Sequence, residues 1–325
     1  MTPRSGRPPP SRSGFKPKQL ALLAALAEVR TLRGAADAIH VSQPAATRLL
    51  HELEQMLGVR LFDRSAQGLQ VTAAGEAMIE HARSLEAGML NAYREVHDAA
   101  AGTLGTVRLG VFGSIDPVFL SRAIAALKAS APQVHVMIKE APKEFLVQAL
   151  RRNEIDAAIS RLSVDSGANW VRQRVLYTET FSLVCGRRVP RRRGQASTIA
   201  SLLELPWVLP TEESMLRQRL NAFCLAQFGR APLSYVDSES TLGTLALLDA
   251  TANPGVLAAS VARYFANAGQ LCVLVERLAG IESSVVLLTK AAEAPRPSLS
   301  RLVRALGIAD DPPAPARRAR RAAGD

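Results

Sequence analysis

The chain has 325 residues, 48% of them apolar and 5% aromatic, with a formal charge of +11 and an isoelectric point near 10.3. That length exceeds one small core and indicates two or three domains of a soluble globular protein. The charge admits nucleic acid, an anionic membrane surface or small anions as partners, and no apolar run reaches the roughly 20 residues needed to cross a bilayer, so a membrane span is excluded.

Residues 1–16 are rich in Pro, Ser, Gly and Arg and are expected to form a disordered basic leader. The apolar run Leu20–Ala27 behind it mimics a secretory signal. Glu28 and Arg30 follow at once, however, and the run leads directly into a two-helix pattern. It therefore reads as the first helix of a domain over 17–72, and the chain is expected in the cytoplasm. Up to Thr72 there are ten Lys and Arg against five Asp and Glu, nearly half of the whole excess of positive charge.

Ala35 to Glu54 reads as two helices joined by a tight turn. Ser42 suits the N-cap of the second, because its hydroxyl accepts from an otherwise unpaired backbone N–H. Pro44 is tolerated in the first turn, where no intrahelical donor is lost. Ala46, Leu49, Leu50 and Leu53 recur at helical spacing as an apolar face. Pro44, Thr47, Arg48 and His51 repeat that spacing on a second face that is small, polar or basic. Such a helix can enter a DNA major groove, which makes Ser42, Gln43, Pro44, Thr47, Arg48 and His51 the candidate DNA contacts. An ordinary amphipathic helix pair has the same periodicity.

Leu57-Gly58-Val59-Arg60-Leu61-Phe62-Asp63-Arg64, Ser65-Ala66-Gln67-Gly68 and Leu69-Gln70-Val71-Thr72 read as strand, turn and strand. This is a wing, with Arg60 and Arg64 where a wing meets phosphate. These segments, with Val41-Ser42-Gln43-Pro44-Ala45 and the Thr72-Ala73-Ala74-Gly75 step, resemble the LysR-type transcriptional regulators in motif, order and spacing. The resemblance is specific over residues 18–101 and extends to the rest of the chain in layout. It implies a bacterial transcription factor, not an enzyme, that binds a double-stranded operator as a homodimer or homotetramer and takes a small effector. It implies no cofactor, and contact with RNA polymerase if the protein is an activator. Ala46 and Leu49 depart from the family, which more often has a leucine and a polar residue there. Leu146–Leu162 weakly resembles the branch that regulates aromatic-acid or sugar catabolism.

Residues 73–101 contain no Pro, and Met78, Ala82, Leu85, Met89, Ala92, Val96 and Ala99 recur alternately four and three apart. That heptad seam predicts a linker helix of about 40 Å that pairs with a second copy, so that two wings read two half-sites. Gly102 and Gly105 are expected to end the helix and provide a hinge.

Beyond Gly105 short apolar runs alternate with helical stretches. Strands are expected at Val107–Val111, Val134–Ile138, Ile155–Ile159, Phe181–Val184, Trp207–Leu209, Gly255–Leu257 and Ser284–Leu288. Helices are expected at Phe119–Ala129, Lys143–Arg152 and Met215–Gln227. The fold expected is therefore α+β and multidomain: a winged helix-turn-helix, a long dimerisation helix, and a two-lobed α/β domain like type 2 periplasmic binding proteins over 105–308. Lobe one is expected over 105–177 and 269–308, lobe two over 178–268, and a disordered basic tail over 309–325.

Small molecules bind at strand ends facing such a cleft. Gly113-Ser114 follows the first strand, and its backbone donors with the Ser114 hydroxyl suit a carboxylate. The resemblance points to the same serine and, by mapping, to Lys143 and Thr211, hence to a small anionic effector. The Gly186–Gly194 stretch, with five Arg, reads as an exposed loop. The five histidines form no ligand cluster, and HExxH, GxSxG, Walker and Rossmann signatures are absent, which leaves an enzyme on this scaffold without a reactive set. A solute receptor without DNA binding would not need the winged motif. Cys185, Cys224 and Cys272 are scattered, odd in number and outside any CxxC, as expected of free, buried thiols in a reducing compartment; Cys185 alone lies in a basic context, beside Arg187 and Arg188.

Overall fold

The computed structural model describes residues 15–65, 68–100, 103–161, 170–187, 199–251, 253–291 and 296–308. The expected leader and tail and most of the arginine-rich loop lie outside the described residues, apart from the last residues of the leader. The chain forms two compact units. The first runs to residue 101 and takes in 151–154; the second comprises 102–150 and 155 onward.

In the first unit, helices α1 (Pro17–Val29), α2 (Leu32–Ala38) and α3 (Gln43–Leu57) are followed by strands β1 (Phe62–Ser65) and β2 (Gly68–Val71) and by helix α4 (Ala73–Ala100). Each boundary has a local cause. Thr31 and Ser42 cap α2 and α3 by accepting from Gly34 N and Ala45 N. Arg30, at φ 52°, ends α1, and Gly58, at φ 72°, ends α3 in the left-handed conformation that costs glycine nothing. The wing strand therefore starts at Phe62, later than the sequence suggests, because Leu57 belongs to α3. β1 and β2 pair antiparallel from Phe62↔Val71 to Ser65↔Gly68. Leu22, Leu23, Leu26, Ala46, Leu50, Leu53, Leu61, Ile79 and Ala82 form the core.

The second unit begins with β3 (Thr106–Val111), α5 (Pro117–Ser130), β4 (His135–Glu140), α6 (Lys143–Arg151), β5 (Ala157–Arg161) and β6 (Val171–Cys185). There follow α7 (Ile199–Leu202), β7 (Pro206–Leu209), α8 (Met215–Phe228), β8 (Leu233–Asp237), α9 (Thr241–Ala250), β9 (Pro254–Ala258) and α10 (Ala259–Asn267). β10 (Cys272–Val275), β11 (Glu282–Lys290) and α11 (Pro297–Ala305) complete it. The strand order is β4-β3-β5-β11-β6-β9-β7-β8, with β10 also on β6. β3 is flanked in parallel by β4 and β5, and β7 by β8 and β9. In each lobe the chain thus leaves the middle strand for one side and returns on the other, which opens a crevice at that strand's carboxyl end.

The lobes are joined by β6, whose first part pairs with β11 (Val171↔Lys290 to Thr180↔Glu282) and whose last part pairs with β9 (Phe181↔Ala258 to Cys185↔Pro254). The sequence places the lobe boundary at 177/178, inside this strand. The structure puts the change of partner between Thr180 and Phe181. It also moves residues 272–275 from the expected lobe one into lobe two, since β10 pairs with β6 there. β11 returns to lobe one as expected and lies between β5 and β6.

Candidate functional site

The sequence directs one face of α3 outward. Ala46, Leu50 and Leu53 are buried, whereas Ser42, Gln43, Pro44, Arg48 and His51 are exposed. Thr47 is half-buried, and its hydroxyl donates to Gln43 O at 2.9 Å, so its proton is used within the helix and only its oxygen remains to accept. His51 Nε2 lies 2.9 Å from Gln55 Nε2. Arg60 is exposed at the foot of the wing; Arg64 lies in β1, its side chain outside the described residues.

The wing is fixed to α3 by a residue that sequence reasoning passed over. Glu54 Oε1 accepts from Leu61 N at 2.8 Å and Phe62 N at 3.2 Å. Thr72 Oγ1 donates to Arg60 O at 2.9 Å and accepts from Gly75 N at 3.0 Å. A Cβ at Gly75 would lie 2.1 Å from the Leu61 carbonyl oxygen, so this turn of α4 needs glycine to approach the strand.

In the two-lobed unit, Gly113-Ser114 lies at the carboxyl end of β3, and Thr211 at that of β7. The expected free backbone donors after Ser114 are absent as such, because Asp116 caps α5: its Oδ1 accepts from Val118 N at 2.8 Å and Phe119 N at 3.2 Å. Ser114 instead meets Arg161, the last residue of β5. Arg161 Nε and Nη2 donate to Ser114 Oγ at 3.2 and 3.1 Å, and Nη2 donates to Ser114 O at 2.9 Å. The guanidinium carbon lies 4.9 Å from the centre of the Phe181 ring. Burial lowers the pKa of Arg161, with nearby Glu179 opposing that shift, and the buried Nη1 has no hydrogen-bond partner. Glu179, itself buried, accepts from Ser260 N at 3.4 Å and from Ser260 Oγ. Thr241 Oγ1, from lobe two, donates to Gly113 O at 3.0 Å.

The comparisons with known proteins agree with this architecture. Residues 17–76 match the bacterial regulatory helix-turn-helix protein model of the lysR family, and residues 100–309 match the LysR substrate binding domain. The chain belongs to the LysR family. It is 31% identical over 265 residues to the HTH-type transcriptional regulator GbpR of Azospirillum brasilense, covering 81% of this chain and 77% of that protein. It is 26% identical over 297 residues to the regulator PcaQ of Agrobacterium fabrum, covering 90% and 94%. A solved structure of full-length CbnR complexed with its target DNA is similar at a TM-score of 0.65 and 25% identity, covering 90% of this chain and 99% of that one. This LysR-family protein is therefore a DNA-binding transcriptional regulator modulated by an effector, with a helix-turn-helix, a helical linker and a two-lobed α/β domain.

Within this LysR-family frame the remaining sequence-derived site residues divide. Lys143 is half-buried and is the first residue of α6, where the sequence also starts a helix. Thr211 Oγ1 donates to Glu239 Oε1 at 3.0 Å, so it holds the loop before α9. On α4 the expected partner-facing seam splits. Ala82 is fully buried and Met78 packs on the same core, so both belong to their own domain rather than to a partner. Leu85, Met89 and Val96 are 47%, 51% and 70% exposed, as are Leu90 at 49% and Tyr93 at 63%; Ala92 is exposed with them. Arg161 was missed, although an Arg ending the apolar strand Ala157–Ser160 at a cleft was a readable sign. Among the described residues no helix is long and apolar enough to cross a membrane, and no three His, Cys, Asp or Glu side chains are grouped to hold a metal ion.

Proposed function

We propose that this regulator binds its operator as a homodimer or higher homo-oligomer through the exposed face of α3 and the wing, and responds to a small anionic effector held by Arg161 and Ser114. The observation that carries the effector assignment is the buried guanidinium with an unpartnered Nη1 at the crevice of β3. An unpaired buried donor on a charged group is costly, and a carboxylate or similar anion supplies the missing acceptor. Asp116 already occupies the amino end of α5, so the anion is drawn by the guanidinium rather than by a helix end. Lys143 and Thr211 are secondary candidates, the latter through its hydroxyl oxygen.

Arg161→Met should cost about 2–5 kcal/mol of effector affinity, because the pair it removes is buried. Ser114→Ala should cost less, and effector-free operator binding should stay near the parental value in both. The measurement is a footprint titration with candidate organic acids. A parental half-response concentration in Arg161→Met of normal fold would place the site elsewhere.

At the DNA, Arg48 is the exposed cation of α3, and Gln43, Pro44, Thr47 and His51 share its face. Arg48→Ala should weaken operator binding by about 1–3 kcal/mol if the guanidinium meets a base edge, and relax specificity at that position. Arg60→Ala should weaken binding evenly across sequences and lower the salt slope by about one. Gel retardation against a set of single-base operator variants separates the two. Unchanged affinity in Arg48→Ala would remove α3 from the interface.

A further inference from the structure

Two of the three cysteines that the sequence scatters meet in the sheet. Cys272 of β10 is the direct register partner of Cys185 of β6. Directly opposed residues of an antiparallel pair have Cα atoms about 4.5–5.5 Å apart and side chains on the same face, inside the roughly 4.4–6.8 Å span that a disulfide bridges. The neighbours fix which face. Val184 and Val273, the adjacent register pair, pack with Leu248, Leu257 and Leu271, so alternation turns both thiols to the opposite side. Cys185 is buried and Cys272 half-buried, so one thiol is reachable and the other waits beneath it. Cys224 lies apart on α8, fully buried, where burial pushes its thiol up to about 11.

We propose that Cys185 and Cys272 are an oxidisable dithiol, and that a hydroperoxide closes them to an intramolecular disulfide between β6 and β10. The Cys272 thiolate attacks one peroxide oxygen, the O–O bond breaks, and a sulfenic acid forms with release of hydroxide. The Cys185 sulfur, giving up its proton, then attacks the sulfenic sulfur; the S–O bond breaks and hydroxide leaves. The two thiols lose two electrons and two protons, and hydrogen peroxide becomes two molecules of water. The crosslink fastens β10 to the strand that continues into lobe one, so oxidation acts on the member shared by both lobes.

The test uses the full chain. Reduced protein is incubated with equimolar hydrogen peroxide, denatured, and alkylated with N-ethylmaleimide. The reduced chain should take up label at all three cysteines and the oxidised chain at Cys224 alone. Proteolysis should release a Cys185–Cys272 linked peptide, lighter by two hydrogens and cleaved by dithiothreitol. Cys224→Ser should form the same link, and Cys185→Ser and Cys272→Ser should not. Label at all three positions after oxidation, a link that includes Cys224, links between chains only, or sulfinic acid on Cys272 with Cys185 still free would each overturn the proposal, and each is read on the parental protein without relying on a variant's folding.

Discussion

Asp156→Ala is expected to destabilise the two-lobed domain by about 3–5 kcal/mol. Asp156 follows the loop into β5, and its carboxylate is a hub for three donors of Arg108: the backbone N at 2.7 Å, Nε at 3.2 Å and Nη2 at 2.6 Å. Both side chains are more than nine-tenths buried, and Arg296 joins the same carboxylate at 3.3 Å. Removing the carboxylate takes three acceptor contacts and the nearest counter-charge from the buried Arg108 cation, and that loss is the source of the destabilisation. Urea denaturation followed by fluorescence of Trp170 and Trp207 measures it. The double variant Arg108→Met with Asp156→Leu should recover most of the stability, since the charge is gone. Recovery should stop short, because the Arg108 backbone N–H still lacks its acceptor. A single variant within about 1 kcal/mol of the parent would show that Asp156 does not hold the cation.

Leu85→Asp or Met89→Asp should convert the protein to monomers and reduce affinity for a full operator by about 100- to 10,000-fold, the range over which linked binding exceeds either half alone. From Leu85 onward α4 shows an apolar stripe of Leu85, Met89, Leu90, Tyr93 and Val96 to solvent within one chain, far more than scattered surface apolar residues account for. A carboxylate in that stripe would be desolvated without a partner. Sedimentation equilibrium and gel retardation with full and half operators read mass and linkage separately. Ala82→Asp should behave differently: it puts a charge in the core of its own domain and should unfold that domain. A Met89→Asp protein that stays dimeric and binds normally would mean that this stripe faces no second copy.

These two sites show what the residues disclosed and what they withheld. The helix-turn-helix and linker were legible because their apolar residues recur at helical spacing and Ser42 before Gln43-Pro44 marks a start, whereas the wing's first boundary was misplaced, since Leu57-Gly58, read as strand, ends α3. Seven strands of the α/β unit were legible at least in part as short apolar runs, and β7 and helix α8 to within one residue, whereas β8 and β10 were not foreseen. β6 was only half legible. Its first part, Val171-Arg172-Gln173-Arg174-Val175, sets three polar residues between two valines, and it becomes a strand because β11 supplies a partner, which no local pattern announces. The seam of α4 failed in another way. Met78 and Leu85 share one period, but a period states which face is buried and not by whom, so the helix's own domain claims the first two positions. In the crevice, Ser114 was found and its partner Arg161 was not, because 47 residues separate them in the chain and only the parallel pairing of β3 with β5 brings them together. The capping role of Asp116 was readable from Asp116-Pro117, and it displaces the free backbone donors that the serine alone suggested.

The junction of wing and linker sets a scale. Gly75 lets α4 touch the Leu61 backbone, Thr72 ties the same turn to Arg60, and Glu54 ties that strand to α3, so wing and helix move as one body. α4 has 28 residues, which at 1.5 Å each make an arm of about 42 Å. Because the junction is fixed, a tilt of about 5° of the arm as a whole about its far end carries the wing through roughly 3.7 Å, close to the ~3.4 Å step between successive nucleotides of a strand. Angular changes smaller than the natural bend of a long helix are therefore commensurate with a one-step change in where a wing falls along DNA.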